Sequence, residues 1–231
     1  MAPLEPLGSR YTGNLRHRRV VPFLTMVMNT VDEKRQLRRQ MRARRRALSE
    51  AEQGQAAEKL CVQLLRLPGI HGGRRFGAYF ASDGEIDPLP ALQSLIARGR
   101  IGYLPVLFGT QRPRVRFARY FPDEPLQAGR FDIPVPFHDR RALVDPVNLD
   151  WLLMPLVAFD EGGNRLGMGG GFYDASLAAR RHRRHWRRPL LIGLAHEFQR
   201  VTRLEVDSWD IPLDGILTEN GFLPVQRGTA N

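Results

Sequence analysis

The spacing of apolar residues changes along this chain, and the changes divide it into elements. Between residues 30 and 65, apolar positions recur three or four residues apart, which is typical of amphipathic helices. The positions that share a face are Leu37, Met41 and Leu48 in the first helix and Ala56, Leu60 and Leu64 in the second. Each helix begins with a capping-box pattern, Thr30 with Glu33 and Ser49 with Glu52.

From residue 74 onward, short strand-like runs alternate with helix-like ones. The predicted strands are residues 74–80, 101–107, 114–120, 151–159, 190–196 and 214–223, and the predicted helices between them are residues 88–99 and 172–185. Residues 151–159 are almost continuously apolar, as in a parallel strand that is covered on both faces. The alternation predicts a single α/β domain with a mainly parallel sheet over residues 30–231, in which residues 122–136 form a surface excursion.

Residues 1–29 have no sustained hydrophobic period, and we expect them to form a disordered N-terminal extension, with Met26 or Met28 as an alternative start. No run reaches the roughly 18 apolar residues that a membrane span needs, and the segment VVPFLTMVM lacks a signal-peptide cleavage site. A single cysteine, Cys61, fits a reducing compartment. We therefore expect a cytoplasmic protein without membrane contacts.

The formal net charge is +11, from 35 Lys and Arg against 24 Asp and Glu. Such an excess attracts polyanions, whether nucleic acid, nucleotide phosphates or substrates with several carboxylates. Basic residues are densest at positions 180–188, around Trp186. That run is typical of nucleic-acid contacts, but it is also typical of the exposed end of a helix, which is the interpretation we favour.

The segment RLGMGGGFYD at residues 165–174 places four glycines within five positions. Bare backbone between a strand and a helix lets N–H groups approach a phosphate closely. The segment is not a P-loop, and Phe172 stands where a dinucleotide-binding fingerprint has its third glycine. The alternative is a tight turn that binds nothing. Asp174 is either a magnesium ligand beside the phosphates or a first-turn aspartate that the helix dipole favours.

Four segments of the chain resemble the 5-formyltetrahydrofolate cyclo-ligase family, whose members are also called 5,10-methenyltetrahydrofolate synthetases. They are KRQLR at 34–38, FASDGEID at 80–87, FDEGGNRLGMGGGFYD at 159–174 and DIPLDG at 210–215, and the similarity extends over residues 32–222. The resemblance implies a Rossmann-like three-layer sandwich. It also implies an ATP- and Mg²⁺-dependent enzyme that phosphorylates the formyl oxygen of 5-formyltetrahydrofolate, cyclises it to 5,10-methenyltetrahydrofolate, and releases ADP and phosphate.

The same resemblance assigns site residues. Those implied to bind ATP are Lys34, Arg35, Gln36, Leu37, Arg38, Arg165, Leu166, Gly167, Met168, Gly169, Gly170, Gly171, Phe172 and Tyr173. Those implied to bind the folate are Phe80, Glu85, Met168, Gly169, Gly170, Gly171 and Phe172. Lys34, Arg165, Gly169 and Tyr173 are implied to act in catalysis, and Asp174 and Asp214 to hold Mg²⁺.

Lys34 and Arg38 are four residues apart on the first helix, so both can face one pocket. A solvated basic face is what we expect for the other arginines of that helix, which are Arg35, Arg39, Arg42, Arg44, Arg45 and Arg46. We expect a monomer whose partners are ATP and 5-formyltetrahydrofolate rather than nucleic acid. The basic excess raises the hypothesis of a polyglutamylated folate, and the alternative function is a basic nucleotide- or RNA-binding module without catalysis.

Overall fold

The computed structural model describes residues 31–109, 111–182 and 188–225. The α-helices in these residues are α1 (Val31–Arg46), α2 (Glu50–Leu65), α3 (Leu89–Ala97) and α4 (Phe172–Leu177). The strands are β1 (Arg75–Gly77), β2 (Ile101–Phe108), β3 (Arg114–Tyr120), β4 (Leu126–Gln127), β5 (Val135–Pro136), β6 (Trp151–Pro155), β7 (Ala158–Phe159), β8 (Arg165–Leu166), β9 (Leu190–Leu194), β10 (Gly215–Thr218) and β11 (Gly221–Pro224). No helix in this described part is both long and apolar enough to cross a membrane.

Seven strands form one sheet in the order β11-β10-β9-β6-β1-β2-β3. The five strands from β10 to β2 pair in parallel, whereas β2-β3 and β10-β11 are antiparallel. Along β6, Trp151 and Leu153 belong to the core under α2 and α3, and Leu152 and Met154 belong to the core on the opposite face, which α4 joins through Leu177. Helices on both faces of a mainly parallel sheet confirm the predicted three-layer α/β fold.

Helix α1 packs on a smaller core that includes the start of β7. Leu37 and Met41 are buried there, as predicted, but Leu48 lies beyond the end of the helix and is only partly buried. The third buried position belongs to Arg45, whose side chain is 0% exposed. Residues 37, 41 and 45 are each four apart and therefore share one face of the helix.

The element boundaries differ from prediction where backbone groups find partners outside the sheet. Residues 151–159 divide into β6 and β7 because the chain leaves the sheet at Leu156 and Val157, whose carbonyl oxygens each accept a hydrogen bond from Gln199 Nε2 at 2.9 Å. Residues 214–223 form the β10-β11 hairpin rather than one strand. The helix predicted at 172–185 ends as α4 at Leu177 and is followed by a 3₁₀ turn at Ala178–His182.

The predicted helix starts have two outcomes. The capping box at α2 is confirmed, since Ser49 Oγ accepts from the Glu52 amide at 3.3 Å and Glu52 accepts from the Ser49 amide at 2.8 Å. Thr30 lies outside the described residues, as do the predicted extension at 1–29 and residues 183–187 of the basic run.

The carboxyl ends of the parallel strands meet at one edge of the sheet. Tyr79 follows β1, Leu156 follows β6 and His196 follows β9. His196 is 2% exposed, and its Nε2 lies 3.3 Å from the carbonyl oxygen of Gly84, so it ties the end of β9 to the turn at residues 82–85. Burial is the main cause that lowers the pKa of His196 from 6.5 to about 4.

The neutral imidazole of His196 makes stability depend on pH. Its folded-state pKa lies below its unfolded value, so the unfolded chain binds the additional proton as the pH falls from 6.5 to about 4. We expect this residue alone to lower the free energy of unfolding by up to about 3 kcal/mol across that window.

Urea denaturation between pH 7 and pH 4 measures this effect. His196→Gln can still donate an amide hydrogen bond to Gly84 but does not titrate, so its stability should decline less steeply than that of the wild type. Carboxylates that titrate in the same window contribute equally to both proteins. Parallel curves for the two proteins would contradict the assignment.

Candidate active site

A cleft of about 400 Å³ opens between the first half of α1, the glycine-rich loop, α4 and a segment at residues 204–210. Its volume falls in the range of roughly 300–1,000 Å³ that is typical of small-molecule sites. The residues that line it are Lys34, Arg38, Arg165, Leu166, Gly167, Gly169, Gly171, Asp174, Ala175, Ala178, Leu204, Glu205, Asp207, Trp209 and Asp210. Three cations, two from α1 and one from β8, thus face a single cavity together with four carboxylates.

Two of these cations come from α1, one helical turn apart. Arg38 donates from Nε to the carbonyl oxygen of Gly167 at 2.8 Å, and this contact fixes the start of the glycine-rich loop. Burial lowers the pKa of Arg38, which nevertheless stays charged because a guanidinium titrates far above neutrality. Lys34 Nζ lies 3.0 Å from Asp207 Oδ2, so the cleft already holds an ion pair that a bound anion would have to rearrange.

The other matched residues of α1 do not face the cleft. Arg35 and Gln36 are exposed, and Arg35 lies 4.0 Å from Asp32 in an ion pair on the outer face of the helix. Leu37 is buried in the core beneath α1. The helical period therefore brings Lys34 and Arg38 to the cleft and turns the three residues between them away.

The glycine-rich loop presents alternate residues to its two sides. Gly167, Gly169 and Gly171 line the cleft. The backbone φ angles of Gly169 and Gly171 are +96° and +66°, which residues other than glycine rarely adopt. Gly171 is also the residue that precedes α4. The glycines thus serve the turn and, at the same time, leave open backbone beside Arg38.

Met168, Gly170 and Phe172 are not among the lining residues of the cleft. The side chain of Met168 is half exposed, and the ring of Phe172 meets Phe131 edge to face at a centroid distance of 6.3 Å. The guanidinium of Arg130 lies 5.6 Å from the centroid of the Phe172 ring. The loop therefore has a second, aromatic side, which the pattern of glycines did not reveal.

Asp174 faces the cleft beside Arg165. Its Oδ1 lies 2.6 Å from Arg165 Nη2 and accepts a hydrogen bond from the amide of Ile211 at 3.2 Å. Among the described residues no three His, Cys, Asp or Glu side chains come together as a metal site. Mg²⁺ commonly binds through one or two carboxylates together with substrate phosphates, so the oxygen of Asp174 fits that ion without a further protein cage.

Asp214 is not brought to this cleft. Its carboxylate lies 2.5 Å from Arg180 Nη2 and accepts from the amide of Leu191 at 2.8 Å, at the amino end of β9. The carboxylate therefore ties β9 to the residue before β10, at the opposite edge of the sheet from His196. The sequence position of Asp214 after Pro212 did not indicate these contacts with Arg180 and Leu191.

A second group of charges lies at the turn of residues 82–85. The side chain of Glu85 is 9% exposed, accepts from the Ser82 amide at 3.2 Å, and lies 3.6 Å from Arg45 Nη1. Burial raises the pKa of Glu85 and the charge of Arg45 opposes that effect. Phe80, just before the turn, is partly buried against the core under α2 and α3.

Tyr173 is in the first turn of α4 and is partly buried against the core on that face of the sheet. Burial raises the pKa of Tyr173, the charge of Glu85 raises it further, and the charge of Arg165 lowers it. Tyr79 is buried beside the same carboxylate, and its hydroxyl donates to the carbonyl oxygen of Ile86 at 2.7 Å. The cleft and the 82–85 turn both border α1, the cleft through Lys34 and Arg38 and the turn through Arg45.

The expected solvated face of α1 is wrong at Arg45, which is buried, whereas the side chains of Arg42 and Arg46 are 37% and 57% exposed. Arg42, Arg45 and Arg46 converge on Asp83, at 2.6, 2.9 and 2.9 Å. Arg39 is exposed, as predicted. Asp83 is 41 residues from Arg42 in sequence, so no local pattern indicates the pairing.

Sequence analysis also missed the segment at 204–210. Asp207 and Trp209 line the cleft, and the side chain of Trp209 is 59% exposed although it is large and aromatic. The segment has neither glycine clustering nor a regular period, and the only signal was its position just before the DIPLDG segment.

Comparisons with known proteins identify the family of this chain. The model of the 5-formyltetrahydrofolate cyclo-ligase family matches residues 30–219. The 5-formyltetrahydrofolate cyclo-ligase of Haemophilus influenzae is 38% identical over 192 residues, which cover 82% of this chain and 99% of that protein. Its counterpart from Escherichia coli K12 is 37% identical over 178 residues, or 77% and 96% of the two chains.

Solved structures show the same fold. A 5,10-methenyltetrahydrofolate synthetase from Aquifex aeolicus superimposes with a TM-score of 0.70 at 31% identity, over 86% of this chain and 95% of that one. One from Mycoplasma pneumoniae gives a TM-score of 0.62 at 24% identity, over 80% and 98%. With a family model that matches most of its length, this chain belongs to the 5-formyltetrahydrofolate cyclo-ligase family.

Proposed function

We propose that this protein converts 5-formyltetrahydrofolate and ATP to 5,10-methenyltetrahydrofolate, ADP and phosphate. The observation that supports this most directly is the placement of the two halves of the proposed site along α1, where Lys34 and Arg38 line the cleft and Arg45 contacts the buried carboxylate of Glu85. A triphosphate suits the first half and the amino-substituted edge of a pterin suits the second. Members of the family to which this chain belongs are named for a reaction of a folate, which is consistent with a pterin in the second half.

The reaction needs activation because a formyl amide is a poor electrophile. The formyl oxygen attacks the γ-phosphorus of ATP, the bond to the bridging oxygen breaks, and ADP leaves. Nitrogen-10 of the folate then attacks the formyl carbon, the carbon–oxygen bond to phosphate breaks, and the five-membered ring closes as N10 loses its proton. Positioning and charge stabilisation accomplish most of such a transfer.

In this proposal the nucleotide half consists of Lys34, Arg38, Arg165 and the backbone of the glycine-rich loop. Lys34 and Arg165 meet the charge that develops during transfer, since both line the cleft and both are held by carboxylates that a triphosphate can replace. Gly169 contributes to catalysis through its backbone N–H group, which can contact a phosphate. Mg²⁺, held by Asp174, would neutralise phosphate charge when it is bound.

The folate half consists of Glu85, Tyr173 and the outer side of the loop. The carboxylate of Glu85 accepts hydrogen bonds from a pterin edge, and the phenol of Tyr173, whose pKa is raised, remains a neutral donor at physiological pH. Phe80 and Phe172 supply apolar contacts. A polyglutamate tail, a monomeric state and a cytoplasmic location remain part of the proposal.

The rival function is a basic nucleotide- or RNA-binding module without catalysis. Part of its motivation, the run at 180–188, falls outside the described residues at 183–187. Arg188 forms an ion pair with Asp150, so this cation is already engaged within the protein. Formation of the methenyl product, which a binding module cannot achieve, separates the two functions.

Absorbance of the methenyl product tests the reaction and the role of Asp174 together. Purified protein with ATP, Mg²⁺ and 5-formyltetrahydrofolate should form the product. We expect Asp174→Asn to need at least about tenfold more Mg²⁺ for half-maximal rate, because an amide is a weaker ligand than a carboxylate.

Asp210→Asn is the matched control, since Asp210 lines the same cleft without contacting Arg165 in the contacts described. An unchanged Mg²⁺ requirement in Asp174→Asn, or a shift confined to Asp210→Asn, would contradict the metal assignment. Absence of product from folded wild-type protein that binds ATP would contradict the proposed reaction.

The pair of Lys34 and Asp207 gives a second prediction. Asp207 competes with ATP for Lys34, and a partly exposed ion pair is worth up to about 1 kcal/mol, so Asp207→Asn should lower the KM for ATP by up to about fivefold. Lys34→Met should raise it by about tenfold or more.

Arg35→Met is the matched control because this neighbouring cation faces away from the cleft. Its KM for ATP should stay within about twofold of the wild type. A rise in the KM for ATP in Asp207→Asn would show that Asp207 supports nucleotide binding instead of competing with it.

A further inference from the structure

Arg45 is the most deeply buried charged side chain described in this protein. It is 0% exposed, and no hydrogen-bond partner is found for its Nε. Its Nη2 lies 2.9 Å from Asp83 Oδ2, and its Nη1 lies 3.6 Å from Glu85 Oε1 and 3.4 Å from the carbonyl oxygen of Leu156. One guanidinium thus contacts both carboxylates of the 82–85 turn and the end of β6.

Burying a guanidinium is costly unless carboxylates and hydrogen bonds compensate for lost hydration. The third position of an apolar helix stripe is where leucine or methionine would pack without that cost. Asp83 does not need Arg45 in particular, since Arg42 and Arg46 already bind it from more exposed positions. Of these three arginines, only Arg45 has an ion pair with Glu85 in the described contacts.

The backbone of the turn shows how closely α1 fits against it. Gly84 has a φ angle of +73°, and a Cβ added there would lie 2.6 Å from the carbonyl oxygen of Arg45. Gln53 donates to the carbonyl oxygens of both Arg45 and Gly84 at 3.2 Å, which bridges the end of α1 and the turn. The backbone and the side chain of Arg45 are therefore both in place against the turn that carries Glu85.

We propose that Arg45 is a positioning residue for folate recognition, which fixes the 82–85 turn and holds the carboxylate of Glu85 where the edge of the pterin binds. The inference rests on the proposed function and deepens it. Arg45 does not touch the substrate, and it acts on substrate affinity through Glu85. The positions of the nucleotide and of Lys34 do not depend on it.

The charge of Arg45 also decides the pH range in which Glu85 accepts hydrogen bonds. The groups that interact electrostatically or by hydrogen bonds with Glu85 are Arg45 and Arg42 from α1, Ser82 and Asp83 from its own turn, Tyr79 after β1, and Tyr173 from α4. His196 bonds to the neighbouring Gly84 and also senses Arg45. Arg45 is the cation among the described causes that favours the charged form of Glu85.

The test compares Arg45→Met with Arg46→Met. Both substitutions remove one contact to Asp83, but only the first removes the cation beside Glu85. In Arg45→Met we expect the KM for 5-formyltetrahydrofolate to rise by about tenfold at pH 7 and the KM for ATP to stay within about twofold. The acid limb of kcat/KM for the folate should move up by about one pH unit, since loss of an adjacent opposite charge raises a carboxyl pKa. Arg46→Met should leave the two KM values and the acid limb unchanged.

Glu85→Gln separates this effect from one that passes through His196. The acid limb that belongs to Glu85 should vanish in Glu85→Gln, and adding Arg45→Met to it should have little further effect on the KM for the folate. A limb that persists in Glu85→Gln and still moves on loss of Arg45 belongs to His196 and would overturn the proposal. The double variant also removes the unpaired buried carboxylate, so it tests the inference if Arg45→Met alone fails to fold.

Arg45→Lys provides a further measure, because a lysine keeps the charge but cannot contact both carboxylates with a planar fork. It should restore the pH profile but not the full affinity for the folate. A lower unfolding midpoint in Arg45→Met with unchanged KM values and an unchanged pH profile would show a merely structural role. Wild-type protein without activity would contradict the proposed function itself, whatever the variants do.

Discussion

The site depends on where the backbone of β6 leaves the sheet. After Pro155 the carbonyl oxygens of Leu156 and Val157 no longer bond to a neighbouring strand, and buried carbonyls need other partners. Gln199 satisfies both, Arg45 adds a contact to the first, and the Val157 amide bonds to the Leu166 oxygen at 2.7 Å. That last bond closes the β7-β8 hairpin, which delivers the chain to the glycine-rich loop. The position of the loop thus follows from how the backbone groups of Leu156 and Val157 are satisfied.

The charges of the cleft are balanced before any ligand arrives. Lys34 is held by Asp207 and Arg165 by Asp174, and the segment that supplies Asp207 is itself anchored, since the Leu204 amide donates to the buried Asp160 at 2.8 Å. Binding of a triphosphate would therefore exchange ion pairs rather than create them from solvated charges. Such exchange gives selectivity for ligands whose charge is dense enough to replace a carboxylate.

Sequence reasoning found those parts of the molecule whose signals are local. Four glycines in five positions, the capping box of Ser49 and the spacing of Lys34 and Arg38 each lie within a short segment, and the structure bears out their geometry. It missed Arg45 because hydrophobic periodicity counts arginine as polar, and it missed Asp207 because its partner is 173 residues away. The assignment of Asp214 to Mg²⁺ stays a prediction, and the sequence did not show that this carboxylate forms an ion pair with Arg180. Long-range charge pairing was the missing information.

Helix α1 borders both the cleft, through Lys34 and Arg38, and the 82–85 turn, through Arg45. Lys34 lies at the cleft and Arg45 lies against the 82–85 turn, eleven residues farther along, which corresponds to about 16 Å of helix axis. Because a helix does not stretch, this length fixes the distance between the cleft and the 82–85 turn. An inserted or deleted residue between them would change the separation by only about 1.5 Å but would rotate Arg45 by about 100° away from the turn. A change in the length of α1 between Lys34 and Arg45 would therefore break the contacts of Arg45 with the turn even if every side chain were kept.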